Sequence, residues 1–471
     1  MTAPVTILQR RANLVDPHDC TDAADDLSIL SAVFGTLVRR EGQGFVPHLA
    51  TDWAVSEDAR NWTFTLRAGV TFHDGMPCDA HAVAQSLYRM AREDKGYTLG
   101  APAVWRQYLG AASLEAAGLR LTIRLADPMA DLLDVLVQGF IASPASLAQM
   151  DAGDLTAMSG TGPYRIADVA AGKVRLQPVE SGPVLIFQAM PDAEARAQAL
   201  RDGMAQVATN LPYEADLGAG ATRVTTLNPV AVIYLMNAAT GPLTDSRLRR
   251  ALDLALDREA LIRDVMHGGA TPLHGFVSPA HFGAGRNPAP ARDVTLARSL
   301  LTEAGYPDGL TLSVSCPTRL PDEAMRLTAA LAAQLQQIGV TLDVTCFEDR
   351  EAYAHMVRRK EIGDLAVFDS SPLSTYRVLV EKLDARVKGS WWEGYHNPQV
   401  GALIDQGRRC TDSAGRAAIY AKAYTVMQSD PAWLTLYNPV RVTGLVGHHT
   451  GFTLGSDAVL DATRLPAVTH G

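Results

Sequence analysis

The sequence predicts an α/β fold, and three observations carry that expectation. The segment from Leu310 to Phe368 reads strand, helix, strand, helix, strand, an order that forces parallel strands with helical crossovers. Apolar residues recur at every second position at Trp62, Phe64 and Leu66, and again at Leu119, Leu121, Ile123 and Leu125, the period of half-buried strands. Elsewhere, apolar residues spaced by three and four follow aspartates placed to cap helices.

In chain order, Val5-Thr6-Ile7-Leu8 reads as a first strand. Asp79 is placed to cap a helix with Val83, Leu87 and Met90 on one face, and residues from about 41 to 157 form a compact mixed unit around it. Ser159-Gly160-Thr161-Gly162-Pro163-Tyr164 is a turn cluster leading into a strand at Tyr164. It does not complete GxGxxG, and no GKS or GKT follows, so it is not read as a phosphate loop. Residues 244–269 read as one helix, capped by Thr244 or Asp245 and ended by Gly268-Gly269. Its apolar face is Leu248, Leu252, Ala255, Leu256, Ile262 and Val265. Asp293 caps a further helix with Leu296 and Leu300 inward, stopped by Gly305 and Pro307. Within the alternating unit, Leu310 to Cys316 is the first strand. Asp322 caps a helix with Leu327, Leu331, Leu335 and Ile338 inward, up to Gly339. Val340 to Cys346 is the second strand, Glu351 to Lys360 a helix, and Leu365 to Phe368 the third strand.

Composition bounds the function class. The 471 residues carry a net charge of −9, which argues against a nucleic-acid binder, whose footprint is a basic face. An apolar fraction of 47% excludes a disordered chain, and no run of 18 apolar residues is present to span a bilayer. Cys20, Cys78, Cys316, Cys346 and Cys410 are odd in number, widely spaced and without CxxC, so buried free thiols are expected rather than a disulfide scaffold or zinc site. The start shows no basic segment followed by an apolar one, so no secretory signal is read. HExxH, GxSxG, P-loop and EF-hand patterns are absent; no catalytic residue, metal ligand or cofactor is expected.

Ligands of open parallel sheets sit beyond the carboxyl ends of the strands. Here those ends are Pro317-Thr318-Arg319, Glu348-Asp349 and the run Phe368-Asp369-Ser370-Ser371. The last is rich in short polar groups, which either meet a ligand or build a turn. Trp391, Trp392 and Tyr395 lie in a Gly, Pro and Asn-rich loop, where they either wall a pocket or anchor the loop to the core.

The order of landmarks resembles the large solute-binding proteins of peptide, opine and nickel ABC importers, bacterial extracellular family five. Trp62-Thr63-Phe64-Thr65-Leu66-Arg67, Phe72-His73-Asp74-Gly75-Met76-Pro77 and Ala80-His81-Ala82-Val83 resemble its W-T-F-x-L-R, F-x-D-G-x-P and A-x-D-V run. Gly160-Thr161-Gly162-Pro163-Tyr164 is similar to its G-T-G-P-Y turn. Arg249-Arg250-Ala251-Leu252 with Ala255-Leu256-Asp257-Arg258 resembles its R-x-A-L, A-I-D-R helix, and Ala297 to Tyr306 its A-x-x-L-L-x-E-A-G-Y helix.

The resemblance implies a type II (cluster C) periplasmic-binding-protein-like clamp, two lobes with mixed sheets plus an extra domain. Domain I would comprise 1–40, 158–240 and 440–471, domain II 41–157, and domain III 241–439. It implies a non-enzymatic, monomeric substrate-capture subunit, with a small-molecule or short-peptide ligand and ABC permease subunits as partners. Its place would be the periplasm, or the cytoplasm if the visible start is native. A cytoplasmic ligand sensor and an α/β hydrolase are the alternatives. In this reading Phe368, Asp369, Ser370 and Ser371 hold the ligand, Arg377 meets a carboxylate, and Trp391, Trp392 and Tyr395 wall the pocket. Asp16, His18 and Asp19, in a run similar to the family's L-D-P-H, line the other side. The G-W-x-x-D-Y-x-D-P run usual in the family's peptide binders has no match at 368–377, so the resemblance leaves a short peptide, an opine or a similar small polar solute as the ligand.

Overall fold

The computed structural model describes residues 3–20, 22–96, 103–273, 275–285, 291–319, 321–370, 372–387, 391–447, 454–455, 457 and 459–461. The chain folds as two compact units. Among the described residues, the first comprises 3–96, 103–226 and 441–461, and the second 227–440.

In the first unit the strand Val5–Gln9 runs parallel to Leu185–Ala189 on one side and to Val207–Leu211 on the other. The sheet continues antiparallel through Lys173–Pro178 to Tyr164–Ala170. Val5, Ile7, Val174, Leu176, Leu185 and Phe187 are buried together with the helix Ala24–Val33. A separate antiparallel sheet pairs Ala50–Val55, Asn61–Leu66, Arg120–Arg124 and Ser113–Ala117 in that order. Trp62, Phe64 and Leu66 are its buried face, as the alternation requires. Leu119 is exposed because it shares the turn with Gly118, so the second alternation starts at Leu121. Asp79 caps the helix Ala80–Met90 by accepting from the Ala82 N–H at 2.9 Å, and Val83, Leu87 and Met90 are buried.

The glycine turn owes its composition to close approach. The Gly162 N–H donates to the carbonyl of Val33, at the end of the helix Ala24–Val33, at 2.8 Å. A Cβ at Gly162 would lie 2.4 Å from the Ala32 carbonyl oxygen, and one at Gly160 2.1 Å from that of Val33. Backbone against backbone leaves no room for any side chain.

In the second unit, Val340–Phe347, Leu310–Pro317 and Leu365–Ser370 are adjacent and parallel. Ala231–Met236 pairs antiparallel with Leu365–Ser370, and Trp433–Tyr437 lies antiparallel on its other edge. Leu327, Leu331 and Leu335 of the helix Ala324–Leu335 are fully buried against Leu312 and Val314. Burial of each such side chain contributes about 1.5–3 kcal/mol.

Several local expectations change in the structure. Residues 244–269 form two helices, Ser246–Ala255 and Arg258–Met266. Asp245, not Thr244, caps the first. Asp257 breaks the run because its carboxylate caps the second at Ala260 N, while Gln334 holds its backbone N–H and C=O at 2.8 and 3.0 Å. Leu296 faces outward, and Ala297, Leu300 and Leu301 carry the packing. The helix expected to start at Asp322 begins at Ala324 without a side-chain cap. Val344 and Cys346 are exposed, because their strand is the edge of the sheet.

Replacing Gly162 by Ala is expected to lower the unfolding free energy by about 1–3 kcal/mol, since the backbone must shift to admit the methyl group. Urea unfolding of the variant measures this, and an unchanged midpoint and slope would remove the close-approach account.

Candidate functional site

The candidate site in the second unit is built on the end of the strand Leu365–Ser370. The strand runs two residues past Phe368, and Asp369 and Ser370 pair with Val232 and Ala231. Their positions are therefore set by a sheet ladder rather than by a free loop. Phe368 is buried between Tyr353, 6.3 Å away and nearly parallel, and Trp391, whose ring centroid lies at 4.5 Å. The Tyr353 hydroxyl donates to the backbone carbonyl of Val367 at 2.6 Å, which fixes the stack to the strand. Ser370 is buried and Asp369 partly so. Ser371 lies outside the described residues.

Desolvation pushes the Asp369 carboxyl above its ordinary value, and the charges of Lys382 and Arg350 pull against that. Lys382 is buried with its Nζ 5.5 Å from the centre of the Trp391 ring. Arg377 is also buried, and its Nε donates to Glu381 at 2.8 Å. That pair commits the Arg377 charge to an internal carboxylate. Ser374 caps the short helix Thr375–Val378, and the Pro372 carbonyl lies 2.7 Å from the His281 Nε2.

The aromatic loop is anchored by its own residues. The Glu393 carbonyl accepts from the Ala238 N–H at 2.8 Å, and a Cβ on Gly394 would meet the Ala239 nitrogen at 2.2 Å. Gly394 also needs its positive φ of 90°. Trp392 Nε1 donates to the Tyr395 carbonyl at 2.8 Å. Tyr395 is buried; its hydroxyl donates to the Asp430 carbonyl at 3.2 Å, and the Arg249 guanidinium lies over its ring. Trp392 and Tyr395 therefore hold the loop, while Trp391 reaches the strand end.

In the first unit the loop after the first strand is knitted into a charge network. Asp16 accepts from Arg89 Nη1 at 2.9 Å, from Arg89 Nη2 at 2.5 Å, and from Lys95 Nζ at 2.9 Å. Burial alone would raise its carboxyl, but these cations hold it well below the usual range. Buried His18 is pulled down to about 4, chiefly by desolvation. Its Nδ1 lies 2.8 Å from Arg89 Nη1, which makes Nδ1 the acceptor and leaves Nε2–H to donate to the Phe140 carbonyl at 3.0 Å. Asp19 binds Lys95 at 3.2 Å, and burial beside Asp16 raises it. Asp16 and His18 thus tie their loop to the helix Ala80–Met90.

Sequence reasoning missed Arg89, Lys95, Lys382 and Glu393. Each stands far along the chain from its partner or inside an aromatic run, so no spacing marked it. Glu393 is buried, and desolvation pushes it up to about 7, with Lys360 Nζ 3.7 Å away as its partner. Among the described residues, no group of three His, Cys, Asp or Glu side chains is placed to hold a metal ion.

The backbone defines the class. It superposes on CtaP, an ABC transporter substrate-binding protein of Listeria monocytogenes, with a TM-score of 0.83 at 20% identity, over 98% of this chain and 99% of that chain. It superposes on AgaA from A.tumefacien R10, solved with agropinic acid, with a TM-score of 0.81 at 20% identity, over 100% of this chain and 99% of that chain. The fold is that of a type II periplasmic binding protein. The sequence profile of "Bacterial extracellular solute-binding proteins, family 5 Middle" matches residues 44–376, and the chain belongs to that family. It is 26% identical over 474 aligned positions to the glutathione-binding protein GsiB of Pectobacterium atrosepticum, covering 94% of this chain and 90% of that protein. Among the described residues, no helix is long and apolar enough to cross a membrane.

Two outcomes follow from the charges. Arg89→Met is expected to destabilise the protein by about 3–5 kcal/mol, because Asp16 stays buried with its bidentate partner gone. Urea unfolding reads this directly, and a loss below 1 kcal/mol would show the network to be dispensable. Between pH 4.5 and about 7 the unfolded chain has released the Glu393 proton while the folded chain retains it. Stability therefore falls as pH rises through that window, by up to about 3 kcal/mol from this group. Glu393→Gln should flatten that part of the stability–pH curve; a curve of unchanged slope refutes the assignment.

Proposed function

We propose that this solute-binding protein captures a small polar solute, a short peptide, an opine or a compound of similar size and polarity, and delivers it to the membrane subunits of an ABC importer. The carrying observation is the strand end at Phe368, Asp369 and Ser370. It combines a desolvated carboxyl, a buried serine and an aromatic frame on a strand that is hydrogen-bonded along its length. Asp369 is the group that meets a ligand amine or hydroxyl, Ser370 adds a hydrogen bond, and Trp391 covers an apolar part of the solute. Arg377, Trp392 and Tyr395 support these positions from behind. Asp16, His18 and Asp19 are the first unit's candidate ligand residues. The glutathione named for GsiB and the agropinic acid held by AgaA are both small and polar, which fits this solute class.

The mechanism proposed is hinge closure. The division into 1–40, 158–240 and 440–471, then 41–157, then 241–439 is part of this reading. The four-stranded sheet within 50–124 and the parallel strands within 310–370 support it as separate folding layers. Ligand contacts made only in the closed state shift the open–closed equilibrium, and a change from mostly open to mostly closed needs about 5 kcal/mol of differential binding. A few charge-assisted hydrogen bonds of roughly 1.5–3 kcal/mol each supply that. No catalytic step is part of the proposal.

A thermal-shift panel of dipeptides, tripeptides, glutathione and agropinic acid tests the solute class, because a ligand of the folded state raises apparent stability. Calorimetry on the best binder then compares the wild type with Asp369→Asn. The variant is expected to bind at least about tenfold more weakly, the loss of one charge-assisted bond. Equal affinity would sink the Asp369 assignment while leaving the family membership untouched.

A further inference from the structure

Three sulfur atoms meet at the edge of the sheet in the second unit. Cys316 and Cys346 are direct partners in the parallel register of Leu310–Pro317 and Val340–Phe347. Their side chains therefore leave the sheet on the same face. Met325 stands in the first turn of the helix Ala324–Leu335, which covers that face. Its Sδ lies 3.6 Å from the Sγ of Cys316 and 3.6 Å from the Sγ of Cys346. Cys316 is fully buried, whereas Cys346 and Met325 are exposed. The cluster is open to solvent along the sheet edge and closed on its inner side.

Cysteine and methionine commonly fill cores. That accounts for Cys316 but not for an exposed methionine whose sulfur is approached both by that buried thiol and by the thiol of an exposed cysteine. Cys316 is further fixed by the Thr328 Oγ1, 3.2 Å away, which in turn lies 2.7 Å from the Tyr234 hydroxyl.

We propose that Cys316, Cys346 and Met325 bind one soft monovalent metal ion, Cu(I), through two thiolates and a thioether. Soft sulfur ligands select Cu(I), and a fourth donor of the kind tetrahedral zinc sites require is not needed. At a metal–sulfur length of about 2.3 Å, three sulfurs around one ion stand about 4 Å apart. The two spacings from Met325, 3.6 Å each, reach that with shifts of a few tenths of an ångström, within the freedom of the Met325 side chain, and the strand register places the two cysteines side by side. On binding, each thiol gives its proton to solvent and its sulfur donates a lone pair to the ion. Copper keeps its oxidation state, so no oxidant or reductant is consumed. The site lies within one unit and is independent of the solute reading.

The test is anaerobic titration of the reduced full chain with Cu(I) alone, following the ultraviolet thiolate-to-copper absorption and competition with bicinchoninate. The background is Cys410→Ser, which removes the other thiol with access to solvent. One equivalent is expected to bind. Cys346→Ser should abolish the absorption, and Met325→Leu should weaken binding by about tenfold or more. Both substitutions fall at exposed positions, and thermal unfolding of the metal-free proteins checks that they fold. A reduced protein that takes up no copper, or variants with undiminished affinity, would overturn the proposal.

Discussion

The strand Leu365–Ser370 is the constraint on which the second unit depends. It is hydrogen-bonded to Leu310–Pro317 on one side and to Ala231–Met236 on the other, with a register of six successive residues on the latter side. A strand held on both edges cannot slip by one residue without turning its buried face outward. Leu365 and Val367 are thereby fixed in the core, and Phe368, Asp369 and Ser370 follow at set positions. The Tyr353 and Trp391 rings then pack on Phe368 from two different segments. A polar strand end held on a sheet ladder needs little further ordering to meet a partner group.

Buried charge follows one rule in both units. Arg89 and Lys95 neutralise Asp16, Arg377 pairs with Glu381, and Arg258 pairs with Asp253. In each case the desolvation cost is offset by a partner and by hydrogen bonds to the remaining atoms. Such pairs add little net stability over apolar residues of the same size, but they punish any arrangement that separates them. The Asp16 network thereby fixes its loop on the helix Ala80–Met90. Asp369 and Glu393 differ from these pairs, as do Asp19 and Asp26, for desolvation raises each despite cations nearby. A carboxyl held in that condition gains from a new donor, which is the property a capture site needs.

Much of the frame was legible in the residues. The order Leu310 to Phe368 gave parallel strands because crossover helices admit no other arrangement, and the aspartates at 79, 245 and 293 capped the helices they precede. Local pattern failed where a long-range partner decided. Asp257 was read as part of a helix, but Gln334, remote in sequence, holds its backbone and leaves its carboxylate to start a new helix. The edge position of Val340–Phe347 is likewise invisible in its alternation, because periodicity reports one apolar face and not whether anything covers it.

The sequence by itself determined the fold class, the family and the location of the polar strand end. Those follow from periodicity, capping and motif order, which are properties of neighbours along the chain. Only the tertiary structure decided what each polar group does. Asp16 and Asp369 are the same residue type, yet Asp16 is held by Arg89 and Lys95, whereas desolvation raises the carboxyl of Asp369. Whether such a carboxylate is paired internally depends on the charge that folding brings within about 3 Å, and contacts between distant segments leave no trace in local spacing.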